Sequence, residues 1–335
     1  MQNKSSGIFY NNKKPKKPSN PIAIGSYIRH IMAQPISYNI TIKGLIIALS
    51  GAILFSTKAI FVKLAFASTK VDAITLLSLR MLFSLPFYLG IAWFASKKEG
   101  AQTITIKQWF YIAAMGLLGY YVSSLFDFIG LQFISAGLER LILFLYPTFS
   151  VLINTYFFRS KLNRIQIIAL LLTYVGIGIA YYGELKIDTT NPNFFYGSFM
   201  VFLCAVTYAV YLVGTGKLVQ KVGATRYTTY AMLFATLGVF THYVTTRTFS
   251  AFHFTPTLIG YGLALAIIAT VIPSFMISSA MKRIGSNNVS IVTSIGPVST
   301  VLQAHFILHE HIFTEQIIGT IIVIAGVILI GWKKS

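Results

Sequence analysis

Six ionisable side chains interrupt long apolar runs in the first half of this 335-residue sequence: Lys58, Lys63, Arg80, Asp127, Glu139 and Arg140. A charge at such a depth costs on the order of 2.5–3.5 kcal/mol on insertion scales, so it pairs, reaches for a surface or has a task. Lys58 lies about 21 Å from the inner end of its run at ~1.5 Å per helical residue. Lys58 and Arg80 could hold an anionic group such as a carboxylate, because the planar guanidinium fork grips carboxylates at two points. Asp127 and Glu139 could carry a proton, a common duty of intramembrane acids. The opposing reading is structural. Four cations and two carboxylates form a network, and the surplus cations snorkel to a surface, with Lys63 at a run's end best placed for it.

The second half has no such charges. Its candidates are hydroxyls, amides and aromatics: Tyr208, Tyr211, Thr270, Ser274, Ser294, Thr300 and Gln303. These residues either complete the polar wall of a substrate site or bond to helix carbonyls and pack between helices. Pro147 and Pro297 recur in matching positions 150 residues apart. Each would free the carbonyl four residues earlier in a helix, which gives either a hinge or a fixed bend.

The elements that must position these residues follow from composition. The chain is 55% hydrophobic and 10% charged, with mean hydropathy +0.71. A soluble domain carries roughly 25% charged residues, and apolar runs of about 20 residues match the thickness of a bilayer. Ten spans can be read, at 44–64, 74–94, 109–130, 138–158, 165–183, 196–215, 228–246, 257–280, 288–308 and 316–332. The runs are continuous rather than alternating, so they are helices and not barrel strands. The expected fold is an all-α polytopic membrane protein.

Charge sets its orientation. With the amino terminus inside, twenty basic residues fall in cytoplasmic segments and three, Lys70, Lys186 and Arg247, in external loops. The net charge of +19 is therefore a topology signal, placing both ends inside, and not a nucleic-acid footprint. The stretch "LYPTFSVLINTYFFRSKLNRIQ" (145–166) returns as "IGPVSTVLQAHFILHEHIFTEQ" (295–316) without its three cations. Five spans per half is an odd number, so the second copy enters the membrane inverted and its loop faces outward, where cations are disfavoured. One loop earlier the bias reverses: "QFISAG" (132–137) is uncharged and "KRIGSN" (282–287) is basic. The chain thus reads as ten transmembrane helices in two inverted five-helix repeats, at 44–183 and 196–332, after a basic tail at 1–43. Secondary transporters commonly have this design.

"GAILFSTKAIFVKLAF" (51–66), the arginine of "LLSLRMLF" (76–83) and "GPVSTVLQAHFILHEHIFTEQIIGTIIVIAGVILI" (296–330) resemble EamA-type transporters of the drug/metabolite transporter superfamily, over about residues 44–332. The resemblance implies a central cavity, cytoplasmic termini and export of small metabolites such as amino acids. Lys63 and Arg80 match basic positions of the first repeat, and Glu310 matches the acidic residue after the fourth helix. Two departures stand out: Ser160 replaces that acidic residue in the first repeat, and Glu139 and Arg140 occupy a helix start that is usually apolar.

Other chemistries lack their residues. No GxxxxGK[ST] loop exists for ATP, and "HEHIF" (309–313) has Phe313 where HExxH needs its second histidine. His305 and His309 share a helical face without a fixed third ligand. No GxSxG or paired catalytic carboxylates appear. The single cysteine, Cys204, excludes an internal disulfide. No metal, cofactor or nucleic acid is expected, and the partners are a small-molecule substrate and the lipid bilayer. The tail segment "NNKKPKKPSNP" (11–21) has no signal-peptide core and reads as disordered, with Met32 as an alternative start. The expected location is the bacterial cytoplasmic membrane, and the expected activity is carrier transport. A passive channel or a membrane-embedded enzyme are the rivals.

Overall fold

In the computed structural model the described residues are 41–96, 103–158, 164–187, 191–246, 255–293 and 295–332. Among them every regular element is helical. Six stretches are long and apolar enough to cross a membrane: Ile42–Thr69, Ala73–Phe94, Ile106–Gly130, Ala136–Ile153, Phe194–Thr215 and Pro256–Ile277. Leu170–Leu185 and Thr314–Gly326 are shorter apolar helices. Large apolar side chains such as Trp93, Phe94, Phe110, Phe199 and Ile321 stand mostly exposed, an outer surface suited to hydrocarbon rather than water. The chain is a multi-pass membrane protein.

Helix α1 (Ile42–Thr69) starts where the Thr41 hydroxyl accepts from the Gly44 N–H, and it ends at Lys70 in the left-handed region. Helix α2 (Ala73–Ser96) follows. Helix α3 (Ile106–Gly116) opens on a Thr105–Gln108 capping box, passes through a π-helical turn at Leu117–Val122 and continues as α4 (Ser123–Gly130). Two half-helices come next, α5 (Ala136–Leu143) and α6 (Tyr146–Phe158), then α7 (Arg164–Ile187). The second half runs α8 (Phe194–Val222), α9 (Ala224–Thr246), α10 (Pro256–Ala266), a π-helical turn at Ile267–Val271, α11 (Ile272–Thr293), α12 (Gly296–Leu308) and α13 (Thr314–Trp332). The two π-helical turns begin 150 residues apart, and the starts of α6 at Tyr146 and α12 at Gly296 share that spacing.

Two sequence readings change. Pro147 and Pro297 do not bend continuous helices. Each opens a new one, in the first turn of α6 and of α12, where the missing N–H has no helical partner to lose. The basic stretch 282–287, read as a loop, lies within α11. It contains no proline, and helical bonding keeps its backbone groups paired.

Fully buried Ile60, Leu76, Leu77, Leu79 and Phe128 form the main core with Met232, Val239, Leu265 and Ala269, so both halves contribute to it. Elsewhere α7 and α13 meet almost backbone to backbone. A Cβ on Gly176 would lie 2.7 Å from the Gly319 carbonyl oxygen, whereas Gly178, on the opposite face of the helix, has open space. Gly176→Leu is expected to cost about 1–3 kcal/mol by overpacking and to lower the melting temperature in detergent, while Gly178→Leu leaves it in place. Equal effects would mean that α7 and α13 do not meet along this face.

Candidate functional site: a cationic cavity between the halves

A cavity of about 490 Å³ opens where α1, α2, α4, α5, α8 and α11 converge. Several pairs of its wall residues stand 150 residues apart: Lys58 and Tyr208, Ser124 and Ser274, Asp127 and Ile277, Leu143 and Thr293. In two of these pairs the first half supplies a charge, Lys58 or Asp127, and the second half a neutral or apolar residue, Tyr208 or Ile277.

Lys58 reaches from α1 to place its Nζ 2.6 Å from Asp127 Oδ2 and 3.8 Å from Glu139 Oε1. Glu139 is wholly buried and Asp127 nearly so. The ammonium therefore ties α1 to α4 and α5, and both acids are engaged with one cation. The wall has two more cations. Arg80 Nε donates to the Thr270 hydroxyl at 2.9 Å, its Nη1 donates to Ser124 at 3.4 Å, and its guanidinium lies over Phe128. The π-helical turn prepares Thr270 for this, because its hydroxyl donates back to Leu265 O at 2.8 Å and leaves its lone pairs for Arg80. Arg140 lies over the Phe144 ring, 5.6 Å from the centroid. Its Nη2 would lie 2.7 Å from a Cβ on Gly296, so the backbone at the second helix break makes room for it. The Ser56 hydroxyl donates to Gly296 O at 3.2 Å at the same break. Among the described residues no carboxylate lies within ion-pair distance of Arg80 or Arg140.

Aromatic rings complete the wall. Tyr146 meets Tyr208 edge-on at 5.2 Å, and Tyr208 stacks on Tyr211 at 5.8 Å. Of the sequence candidates, Lys58, Arg80, Asp127, Tyr208 and Ser274 line the cavity. Glu139 stands behind Lys58. Tyr211 is buried and donates to Tyr120 Oη. Gln303 turns to Ser299 Oγ and Ile53 O, and Ser294 lies outside the described residues. Pro147 and Pro297 mark the two helix breaks beside the cavity. Arg140 was visible in the sequence as an intramembrane charge, and the structure places it in the cavity wall. The clamp on Arg80 depends on a π-helical turn for which the sequence carries no signal.

A second polar cluster closes one end of α5. Glu310 Oε1 accepts from the Ala136 N–H at 3.0 Å and Oε2 from the Gly137 N–H at 3.4 Å. Glu184 accepts from the Ser135 N–H at 3.3 Å, and Lys63 Nζ donates to Ile134 O at 2.9 Å. Carboxylates at a helix N-terminus satisfy its orphan N–H groups and its dipole. Glu184 is a residue that hydropathy alone did not single out.

A multi-pass helical bundle with a charged cavity between two matching halves is the form of a membrane transporter. The chain belongs to the EamA-like transporter family, which matches residues 42–182 and 195–332. It is 29% identical over 287 residues to the uncharacterized transporter YcbK of Bacillus subtilis, covering 82% of this chain and 88% of that one. It is 24% identical over 218 residues to UDP-xylose transporter 1 of Arabidopsis thaliana, covering 62% of this chain and 61% of that protein. A crystal structure of a protein superposes with a TM-score of 0.60 at 17% identity, covering 85% of this chain and 95% of the other, a likeness of fold.

The ion triad generates a direct test. Lys58→Met leaves two buried carboxylates without their cation, a loss of about 3–5 kcal/mol, and is expected to abolish a monodisperse folded fraction in detergent. Adding Asp127→Asn and Glu139→Gln to the same chain restores most of it. Full folding of Lys58→Met alone would show that the triad contributes little to the packing of α1 on α4 and α5.

Proposed function

We propose that this protein is a secondary carrier of the bacterial cytoplasmic membrane that exports a small polar metabolite of amino-acid size. Its ten helices form two inverted five-helix repeats, with both chain ends in the cytoplasm. The substrate binds in the cavity between the repeats, and rocking one repeat against the other alternates access to it. The observation that carries this reading is the set of wall residues paired at a spacing of 150, as two related halves around one site would give. The positive-inside bias puts Glu310 and the start of α5 on the outer side. On this reading their hydrogen bonds hold the outer end together. No cofactor is needed, because substrate and ion gradients supply the driving force. The surrounding bilayer contacts the exposed apolar belt.

The test is trans-stimulated exchange by the purified chain in proteoliposomes, with amino acids, organic acids and amines loaded in turn. A carrier gives saturable uptake of a labelled compound that accelerates when the same compound waits on the far side. Linear uptake, indifferent to the trans compartment, would replace the carrier with a passive channel.

A further inference from the structure

We infer that the occupant of this cavity is an organic anion with a flat apolar body, held by Arg80 and Arg140, and not a cation. This deepens the carrier reading and rests on it for the transport step, while the binding step stands on the cavity alone. Three cations and two carboxylates meet at the wall: Lys58, Arg80 and Arg140 against Asp127 and Glu139. With both acids ionised the surroundings hold one net positive charge, and a proton shared between the acids makes it two. Neutralising it falls to whatever enters, since a low-dielectric site penalises an unpaired charge.

Lys58 is not the anchor, because Asp127 already stands 2.6 Å from its ammonium. The arginines are in a different state. Arg80 spends two of its five N–H donors on the neutral hydroxyls of Thr270 and Ser124, which fix its plane without cancelling its charge. Arg140 Nε is buried and has no hydrogen-bond acceptor. Such guanidinium forks fit carboxylate or phosphate oxygens. Across from them, Tyr146 and Tyr208 offer ring faces and edges for an apolar body. A volume of about 490 Å³ accommodates one compound of single-ring size within the ordinary range of ligand pockets.

A charge ladder on one ring tests this: phenyl phosphate, phenylacetate, phenylalanine and phenethylamine, which run from dianion to cation. Dissociation constants are measured on the full purified chain in detergent, and counterflow is measured in proteoliposomes. Phenylacetate and phenyl phosphate are expected to bind at least tenfold more tightly than phenylalanine, with phenethylamine weakest. Arg140→Gln weakens the anions at least tenfold, Arg140→Lys recovers part of the loss, and Arg80→Gln behaves like Arg140→Gln. The ladder itself needs no variant, so a misfolded Arg80→Gln does not blunt it. Binding of phenylalanine or phenethylamine as tight as that of phenylacetate, or no binding of either anion, overturns the inference whatever the transport assay gives. Tight anion binding without counterflow upholds the anion site and counts against the carrier. Counterflow of phenylalanine without anion preference upholds the carrier and removes the anion site.

Discussion

The contact between Lys58 and the Asp127–Glu139 pair organises the rest of the structure. An ammonium 2.6 Å from one carboxylate and 3.8 Å from the other joins α1 to two consecutive helices far from it in the chain, α4 and α5. Desolvating three charges is costly, and that cost is repaid only if the geometry holds. The packing around the triad therefore has to be rigid. Fully buried Ile60 of α1 and Phe128 of α4, each close in sequence to a triad member, supply that rigidity. The same contact settles the electrostatics of the cavity. It engages both acids with the lysine, and the two arginines remain with hydroxyls, rings and a backbone glycine as neighbours.

The two repeats have diverged around this asymmetry. Where the first half places Lys58 and Asp127, the second half places Tyr208 and Ile277 at the 150-residue spacing. The backbone has kept the symmetry that the side chains have lost. Both halves carry a π-helical turn at matching positions and both break a helix ahead of a proline. These irregularities have uses. The turn at Ile267–Val271 aims Thr270 at Arg80, and the start of α12 brings the Gly296 backbone against Arg140. Irregular backbone inside a membrane is tolerated where it borders protein or a cavity, which is where it occurs in this chain. The cluster at the start of α5 repeats the asymmetry, since Glu310 caps α5 and the corresponding residue of the first repeat is Ser160.

Much of this could be read from the residues alone. Hydropathy and span length announced the helices, because hydrocarbon admits little else, and the return of segment 145–166 at 295–316 pointed to two related halves, with Arg159, Lys161 and Arg164 exchanged for His309, His311 and Thr314. The rarity of charge in apolar runs singled out six residues; Lys58, Arg80, Asp127, Glu139 and Arg140 lie in or beside the cavity wall, whereas Lys63 donates to Ile134 O beside the start of α5. Which cation meets which acid was not legible, since four cations and two carboxylates permit several pairings and tertiary packing decides among them. Pro147 and Pro297 were recognised as special, but a proline fits both a bend and a first turn, and the residues ahead of it do not distinguish the two. Tyr211 shares its residue type with the wall residue Tyr208, and Gln303 is a polar residue on an apolar helix; which way each side chain turns is not revealed by a helix with no distinct polar face.

The central claim is that the triad leaves the cavity electropositive, and local potential is the quantity to measure. In a chain carrying Cys204→Ser and Phe55→Cys, the new thiol faces the cavity, and its reaction rates with anionic and cationic methanethiosulfonates of equal size can be compared with those of a free thiol. The account predicts that the anionic reagent is favoured by roughly tenfold over the free-thiol ratio, the lower end of what focused fields achieve. A preference for the cationic reagent would contradict it, because the carboxylates would then dominate the wall and the arginines would be neutralised by partners other than those described.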